Sequence, residues 1–589
     1  MKKKFSNGSP EALLLETYKK MGNTRENRIC QNCKLNFTIE LDDFSFYEKI
    51  KVPAPTFCPE CRQQRRYAWR NERTLYRRDC DLCGKSTITI YSPNKSLKVY
   101  CLKCWWGDEW DPSSYGKDFD FSRSFFEQYQ EFQREVPRMA LLSKNSINSD
   151  YTNHSGDDKN TYLSFCCFDD EDVFYSTWIF KSRNCMDCSY IYDKGERLYE
   201  CISSRRTYHS QFGIFLENCV DCYYCYDCHN CNNCFLSSNL RGKSYFFNNK
   251  QLTREKYLEK VVEYDLSSYK NREKLYIEYI DLMKDKSIHR YVISERNANC
   301  TGNLLYNSKN SFNCFDAEIL EDTKNLYASL MVKDSMDLYH VGGQPSSTEL
   351  AYECHGCKAL YNSQFCHLCY DNQNLEYCDS CQNCQNLFGC ISIKKGEYMI
   401  FNKKYTKEEY FKLKEKIIEH MKKTGEYGEF FPPSVSPVCY NETQGNYYMP
   451  MTKEEVLSHG WLWEDKIFGT FSKETTQPEN IPDNIKDVDD SIINEILKCE
   501  TCTKNYNIIL DELTFYRHEE IPIPKNCPEC RYKKRFSLRL LRKLWHRKCM
   551  CDLPNHNHEG KCSIEFETSY APDRPEIIYC EDCYKKEVY

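Results

Sequence analysis

The sequence has no run of apolar residues long enough to cross a membrane as a helix, which takes about 18 to 20 of them. Its first residues, MKKKFSNGSPEALLLETYKKMG, are basic but contain neither a long apolar segment nor a small-residue cleavage site. We therefore interpret residues 1–28 as a tail or a docking helix and not as a signal peptide. These absences predict a cytoplasmic protein that does not associate with a membrane.

Signatures of common enzymes are missing as well. The sequence contains no P-loop, GxGxxG, GxSxG or HExxH motif. We interpret His154 and His340, which could serve as general bases, as buried structural residues because no catalytic triad accompanies them. The sequence thus predicts no catalytic residue, no small-molecule substrate and a function other than enzymatic.

An excess of positive charge is also absent, because the net charge is −6. The chain as a whole is not a polycation built for nucleic acid, so any basic surface must be local. What the sequence has in abundance is cysteine, with 39 residues. Many of them form C-x-x-C pairs, and in a long chain without an export signal this spacing favours zinc over a disulfide framework.

The two ends of the chain are copies of one module. FYEKIKVPAPTFCPECR and FYRHEEIPIPKNCPECR align at an offset of 469 residues, and the same offset relates Cys30 to Cys499 and Cys58 to Cys527. Such self-similarity indicates an internal duplication. Two C-x-x-C pairs can surround one tetrahedral Zn²⁺ completely, which is the arrangement of a structural site in a treble-clef finger or a zinc ribbon.

We expect about four zinc ions, each with four cysteine ligands. In the last site Cys551 could replace Cys549 or Cys562. The inserted His556 and His558 are expected in a solvated loop, although extra metal chemistry there is an alternative. The predicted metal ligands are Cys30, Cys33, Cys58, Cys61, Cys80, Cys83, Cys101, Cys104, Cys499, Cys502, Cys527, Cys530, Cys549, Cys562, Cys580 and Cys583.

A basic helix follows each CPEC motif. In RQQRRYAWRNERTLYRR the arginines recur at helical spacing, and the offset of 469 reproduces this stripe in the second module. Aromatic residues lie between the arginines. The stripe therefore predicts contact with the phosphates of a nucleic acid or a ribonucleoprotein, and RNA is favoured over DNA. The alternatives are a solvated helix face, a protein partner, or pairing with acidic segments of the same chain such as 107–111 and 487–490. The predicted nucleic-acid-binding residues are Arg62, Arg66, Arg70, Arg73, Arg531, Arg535, Arg539 and Arg542.

The middle of the chain is a second duplication, with an offset of 153 residues that relates YECISSRRTYHSQF to YECHGCKALYNSQF. Between 218 and 234 a cysteine stands at every third position, but the offset turns Cys222 into Leu375 and Cys234 into Leu387. Leucine cannot bind a metal, so the pattern favours a packed interior of a tightly wound β-solenoid. A zinc or iron–sulfur site remains the alternative, mainly at Cys354, Cys357, Cys366 and Cys369.

The predicted fold is multidomain and mainly β: a duplicated parallel β-solenoid flanked by two small α+β zinc-finger modules, with amphipathic capping helices. The predicted domains are a tail (1–28), a double zinc module with a basic helix (29–110), a connecting helix (111–148), solenoid 1 (149–250), capping helices (251–290), solenoid 2 (291–404), a capping helix (405–425), a proline-containing linker region (426–496) and a second double zinc module (497–589).

The motifs CPECRQQRRYAWRNERTLYRR and VYCLKCWWGDEWDPSSYG, together with CHNCNNCF and NNKQLTREKY, give the chain a family resemblance. It resembles the large cysteine-rich zinc-ribbon proteins of candidate-phyla (Patescibacteria) bacteria over nearly its whole length. The resemblance implies zinc binding in the cytoplasm and no established activity. The sequence as a whole predicts a zinc-binding scaffold whose basic modules bind nucleic acid, with a protein-interaction scaffold and a metalloenzyme as the alternatives.

Overall fold

The computed structural model describes residues 25–343, 345–467 and 469–589, and it is mainly β. Residues 1–24, which make up most of the predicted tail, lie outside the described residues. The chain divides into two compact units. Unit 1 comprises the described residues up to 71 together with 77–140 and 294–465, and unit 2 comprises 72–76, 141–293 and 466–589. Each unit therefore contains one end module and one half of the duplicated middle.

Unit 1 is built around residues 294–404, which we call the second parallel stack. Its strands are Ser294–Glu295, Ala298–Tyr306, Lys309–Tyr327, Leu330–Tyr339, Thr348–His355, Lys358–Gln364, Tyr370–Glu376, Cys384–Phe388, Gly396–Ile400 and Lys403–Lys404. The other strands are Glu26–Ile29, Asn36–Ile39, Tyr76–Asp79, Ser86–Thr89, Val99–Tyr100 and Arg138–Met139. The α-helices are Leu41–Lys49, Pro59–Tyr67, Leu102–Trp106, Phe125–Glu135, Lys407–Thr424, Gln444–Tyr448 and Lys453–Ser458.

Unit 2 is built around residues 143–251, the first parallel stack. Its strands are Ser143–Lys144, Ser155–Gly156, Lys159–Tyr162, Phe165–Phe168, Glu171–Phe174, Thr177–Phe180, Arg183–Met186, Ser189–Tyr192, Glu196–Tyr199, Ile202–Arg205, Tyr208–Gln211, Val220–Tyr226, Asn232–Ser238, Ser244–Phe247 and Lys250–Gln251. The other strands are Ile288–Arg290, Leu497–Lys498, Asn505–Tyr506, Trp545–Lys548, Glu565–Thr568 and Ile577–Tyr579. The α-helices are Arg254–Val262, Tyr269–Asp281, Leu510–His518, Pro528–Ser537 and Glu581–Val588.

Strands within each stack pair in parallel, and most paired residues stand twelve positions apart in the sequence. Phe165 pairs with Thr177 in the first stack, and Gln373 pairs with Gln385 in the second. Asparagine side chains repeat at the same interval, as where Asn148 donates to Asn160 over 2.9 Å. A constant step of this kind places equivalent residues above one another. Each side chain therefore packs on the side chain twelve positions away in the sequence.

The three-residue spacing of the cysteines has a backbone origin. Throughout most of both stacks every third residue has a positive φ near +50°, including Asn218 and Asp221. Asparagine and aspartate tolerate this left-handed conformation better than most residues. Each such residue turns the chain, and the residue that follows it, such as Cys219 or Cys222, is buried. The Asn-Cys and Asp-Cys pairs in the sequence are therefore a corner followed by an interior position.

The stack interiors combine cysteines and aliphatic side chains with small polar ones such as Ser176 and Ser210, and the first stack also buries Asp158 and Asp170. Cys219, Cys222 and Cys225 lie in one cluster with Leu216 and Leu240. Their thiols donate to backbone carbonyls, for instance from Cys222 to Val220 over 3.4 Å. Within the described residues, no grouping of side chains suited to a metal includes a cysteine from either stack. The clustering of these cysteines with leucines fits the packed-interior interpretation, and Cys354, Cys357, Cys366 and Cys369 likewise lie in the core of the second stack.

Each stack ends in an antiparallel strand followed by a helix. Phe246 pairs with Gln251 in one stack and Met399 with Lys404 in the other. Thr253 and Thr406 then cap the helices Arg254–Val262 and Lys407–Thr424 with their side-chain oxygens. Tyr410 and neighbouring apolar residues of the second helix pack on aromatic residues of the stack. Among the residues that the structure describes, no helix has both the length and the apolar character needed to span a bilayer.

Candidate metal centres and buried arginine clusters

The structure brings the sixteen cysteines predicted as metal ligands into four groups. Within each group the sulfur atoms all lie within 4.8 Å of one another. Group 1 is Cys30, Cys33, Cys58 and Cys61; group 2 is Cys80, Cys83, Cys101 and Cys104; group 3 is Cys499, Cys502, Cys527 and Cys530; group 4 is Cys549, Cys562, Cys580 and Cys583. Groups 1 and 2 belong to unit 1, and groups 3 and 4 belong to unit 2.

The sulfur separations suit a tetrahedral zinc ion. Zinc–sulfur bonds of about 2.3 Å at tetrahedral angles place the sulfurs about 3.8 Å apart. The sulfurs of Cys33 and Cys58 are 3.7 Å apart, those of Cys502 and Cys527 are 3.6 Å apart, and those of Cys562 and Cys580 are 4.0 Å apart. Four cysteines per group fill every position of a tetrahedron, so no position is left for a substrate or a reactive water.

The same local structure builds each group. The first cysteine pair follows the first strand of a hairpin, and the second pair begins a helix, with the third cysteine as its N-cap residue. In every group the backbone amide of the third cysteine donates to the sulfur of the first over 3.2 Å. Such amide donors and the positive end of the helix both favour thiolate over thiol.

Group 2 illustrates the effect on acidity. Burial acts to raise the pKa of Cys80, but backbone amides of Cys101, Cys83 and Leu82 outweigh it and lower the pKa to about 7. Burial instead raises the pKa of Cys101 and Cys104 in the same group, so the amide donors favour the thiolate at Cys80 in particular.

The arginine side chains do not form the exposed stripe that the sequence predicted. In unit 1 the helix Pro59–Tyr67, called the first arginine helix, has Arg62 and Arg66 fully buried. Arg62 contacts Asp337 over 2.8 Å, and Arg66 contacts Glu353 over 2.6 Å. Both acids lie on strands of the second parallel stack and are themselves buried.

Unit 2 repeats this arrangement in its own residues. The helix Pro528–Ser537, called the second arginine helix, has Arg531 and Arg535 buried. Arg535 lies 2.9 Å from Asp187 and 3.2 Å from Glu200, and Arg531 lies 3.2 Å from Asp187. Arg531 also contacts Glu512 over 3.4 Å. A buried charge requires an opposite charge and hydrogen bonds, and both units provide them.

The other four arginines of the predicted stripe also contact the protein. Arg70 is buried near the ring of Tyr339. The guanidinium of Arg73 lies 3.6 Å from the ring centroid of Tyr532, and it donates to Thr177 over 2.5 Å. Arg539 stacks on the ring of Tyr190 at 3.2 Å, and Arg542 donates to the hydroxyl of the same tyrosine over 3.4 Å.

The acceptor carboxylates were missed by the sequence interpretation, which named 107–111 and 487–490 as acidic partners. The acidic partners of Arg62 and Arg66 are instead Asp337 and Glu353, and those of Arg531 and Arg535 are Asp187, Glu200 and Glu512. A signal for two of them was available. Glu200 and Glu353 are the glutamates of the two duplicated YEC motifs, and each is the only acid that the two aligned segments share.

The histidine insertion also differs from expectation in part. The loop that carries His556 and His558 is largely exposed, as expected, but the histidines point toward cysteines: His556 lies 3.4 Å from the sulfur of Cys551, and His558 lies 3.4 Å from that of Cys583. Of the three candidates for group 4, Cys549 and Cys562 join it, as the sequence favoured, whereas Cys551 is grouped with the two histidines.

Burial of the glutamates makes the ion-pair clusters sensitive to pH. Burial raises the pKa of Glu353 to about 7, although Arg66 and Arg62 oppose the rise, and burial raises the pKa of Glu200 to about 7 against Arg535. The folded protein then holds more protons on these groups than the unfolded chain between about pH 4.5 and 7. Their contribution to the free energy of unfolding should therefore fall as the pH rises through this window.

We expect Glu353→Gln to reduce this pH dependence. The urea midpoint of wild type and variant would be compared at about pH 5.5, 6.5 and 7.5, and the difference between them should change with pH. Glu419→Gln serves as the control, because Lys422 lowers the pKa of this exposed carboxyl and its titration lies below the window. If Glu353→Gln and wild type show the same slope, the proposed titration of Glu353 is contradicted.

No family model and no curated protein matches this chain. Among solved structures, a chain provisionally assigned as an acetyltransferase from Desulfovibrio desulfuricans G20 shares 8% identity over 38% of this chain, with a TM-score of 0.10. The match spans 66% of that chain's length. A similarity this low carries no argument about fold or function, so the class of protein rests on the described residues, which include four tetra-cysteine groups and an arginine cluster between a zinc-type module and a parallel stack in each unit.

Proposed function

We propose that the protein is a non-enzymatic scaffold stabilised by zinc, with one Zn²⁺ in each of groups 1 to 4. The sulfur separations and the complete set of four thiolates support a structural role for the metal. The hairpin and helix that supply the ligands support a treble-clef-like module. Zinc fits these groups better than a harder cation because thiolates are soft ligands.

We further infer that each parallel stack is a β-solenoid with about twelve residues per coil. The pairing interval of twelve residues and the left-handed residue at every third position support four short sides per coil. The filled interior, in which clustered cysteines and aliphatic residues predominate, supports a rigid supporting element and not a channel or a ligand cavity.

One observation carries the scaffold proposal: both arginine helices use their charges inside the protein. Arg62, Arg66, Arg531 and Arg535 are all buried against carboxylates of their own unit. A guanidinium that binds a phosphate along a nucleic-acid backbone must be reachable from solvent. We therefore propose that these arginines fix each zinc module on its stack, and that the partners of the scaffold are proteins.

Nucleic-acid binding is the competing outcome, and salt dependence distinguishes it. We expect fluorescence anisotropy with a structured RNA and with a single-stranded RNA to detect no tight complex at low salt. A complex whose affinity falls steeply with salt would contradict the proposal. In such a complex a tenfold rise in salt concentration lowers the association constant about tenfold for each phosphate contact.

Two charge-reversal variants, Lys533→Glu and Arg535→Glu, test whether the second arginine helix would be responsible for such a complex. Lys533 is exposed on the second arginine helix, whereas Arg535 on the same helix is buried. If RNA binds through this helix, Lys533→Glu should weaken the complex without changing the melting temperature. On the scaffold proposal, Lys533→Glu has no effect on RNA, and Arg535→Glu destabilises the protein.

A further inference from the structure

Next to group 4 lies a second set of metal-ligand side chains in unit 2. Cys551, His556, His558 and Cys583 offer one ligand atom each, and these atoms all lie within 4.8 Å of one another. Cys551 has no exposed surface, and the side chain of His556 is 2% exposed. Two thiolates and two imidazoles are a common ligand set for tetrahedral zinc.

Both histidines are oriented as metal ligands usually are. His556 faces the sulfur of Cys551 with Nδ1 and contacts the carboxylate of Glu587 with Nε2 over 2.8 Å. His558 faces the sulfur of Cys583 with Nε2 and donates from Nδ1 to the carbonyl of Gly560 over 2.8 Å. In each ring one nitrogen thus points at a thiolate while the other contacts a carboxylate or a carbonyl. This second contact fixes the tautomer and leaves a lone pair for the metal.

Cys583 belongs to both sets. It is the fourth ligand of group 4 and also a member of the set with the two histidines. We propose that the C-terminal module holds two zinc ions bridged by the Cys583 thiolate: one bound by Cys549, Cys562, Cys580 and Cys583, the other bound by Cys551, His556, His558 and Cys583.

Charge balance supports the pair of ions. Four thiolates around a single Zn²⁺ carry two net negative charges, and a fifth thiolate at Cys551 would add to the repulsion. Five thiolates and two Zn²⁺ ions carry only one net negative charge, which is less costly to bury. The neutral imidazoles fill the remaining positions without adding charge.

The N-terminal copy of the module provides an internal comparison. Group 2 has the same hairpin and helix arrangement, but its chain turns at Gly84, whereas the C-terminal copy inserts CDLPNHNHEGK between Cys549 and Cys562. Cys104 occupies the position of Cys583, and among the described residues no second set of ligands is grouped with it. We expect group 2 to hold a single ion.

Zinc per chain, measured by mass spectrometry of the full-length protein after dialysis against a weak chelator, tests the inference. Wild type should retain about five ions, and the double variant His556→Ala/His558→Ala about four. Cys583→Ala should lose two ions and its matched control Cys104→Ala only one. Wild type with four ions and an unchanged count in the histidine variant would overturn the second ion. Equal losses in Cys583→Ala and Cys104→Ala would overturn the bridge.

This inference rests on the proposed zinc in group 4, but its failure can be told apart from the failure of the four-site proposal. The difference in zinc ions per chain between wild type and the histidine variant depends only on the second ion, whatever the total number of ions in wild type. A histidine variant with fewer than four ions would count against zinc in groups 1 to 4 instead. Circular dichroism of each variant verifies that the loss of an ion is not a loss of the whole fold.

Discussion

Removing the metal from the four cysteine groups should unfold the zinc modules and release both arginine helices. Binding of a structural zinc ion contributes about 10–16 kcal/mol to the folding of such modules, whereas a whole domain is stable by only about 5–15 kcal/mol. The sulfurs of Cys33 and Cys58, or of Cys502 and Cys527, lie less than 4 Å apart. Without a cation the sulfurs are no longer joined through shared bonds to a metal, and weaker contacts such as the hydrogen bond from the Gln31 amide to the Thr56 carbonyl are left to connect the hairpin with the helix start.

Hydrogen exchange at neutral pH, with and without a strong zinc chelator, measures this effect. Amides of the two arginine helices, Pro59–Tyr67 and Pro528–Ser537, should lose protection, while amides in the stack interiors keep it. Added zinc should restore the protection, and a calcium-selective chelator should have no effect. Full protection of both helices in the metal-free protein would contradict a structural role for the metal.

Replacing one buried arginine should cost each unit about 3–5 kcal/mol, because its cluster would then keep two or more buried carboxylates with a single arginine. Arg66→Met tests unit 1, where Glu353 and Asp337 would be left, and Arg535→Met tests unit 2, where Asp187 and Glu200 would be left. The measurement is the urea midpoint of each unfolding transition. Arg66→Lys should recover only part of the loss, since an ammonium cannot reproduce the fork that contacts both acids.

Two controls separate loss of the ion pair from loss of packing. Lys533→Met changes an exposed cation on the same helix as Arg535 and should shift the midpoint little. The double variant Arg66→Met/Glu353→Gln removes one charge of each sign, leaves Arg62 paired with Asp337, and should recover much of the stability. If Arg66→Met were as stable as wild type, the arginine clusters would not be the anchors that we propose.

The two duplications of the chain meet in these clusters. The duplicated modules supply Arg66 and Arg535, and the duplicated YEC motifs supply Glu353 and Glu200. Within unit 1 the N-terminal module contacts the stack that is farther along the chain, and Arg66 and Glu353 stand 287 positions apart. Within unit 2 Arg535 and Asp187 stand 348 positions apart. Each unit therefore depends on contacts between segments that are distant in sequence.

Much of the local structure could be predicted from the sequence because it depends on short-range chemistry. The spacing of C-x-x-C pairs predicted the groups that the structure assembles, since ligands two residues apart on a turn can face one ion. The asparagines and aspartates before the core cysteines reflect the left-handed corners of the stacks. The helices that follow the stacks begin at the threonines Thr253 and Thr406, as capping chemistry requires.

The repeating parts of this protein can be identified from its sequence alone, because periodicity and ligand spacing are local properties. Which groups the charged and metal-binding residues contact depends on how distant segments fold together. The helical spacing of Arg62 and Arg66 predicts one helix face but not whether that face meets solvent or buried carboxylates. Likewise, the segment CDLPNHNHEGK contains two histidines, but its sequence does not show that they face Cys551 and Cys583 in the folded protein. Both outcomes depend on long-range contacts, which no local pattern encodes.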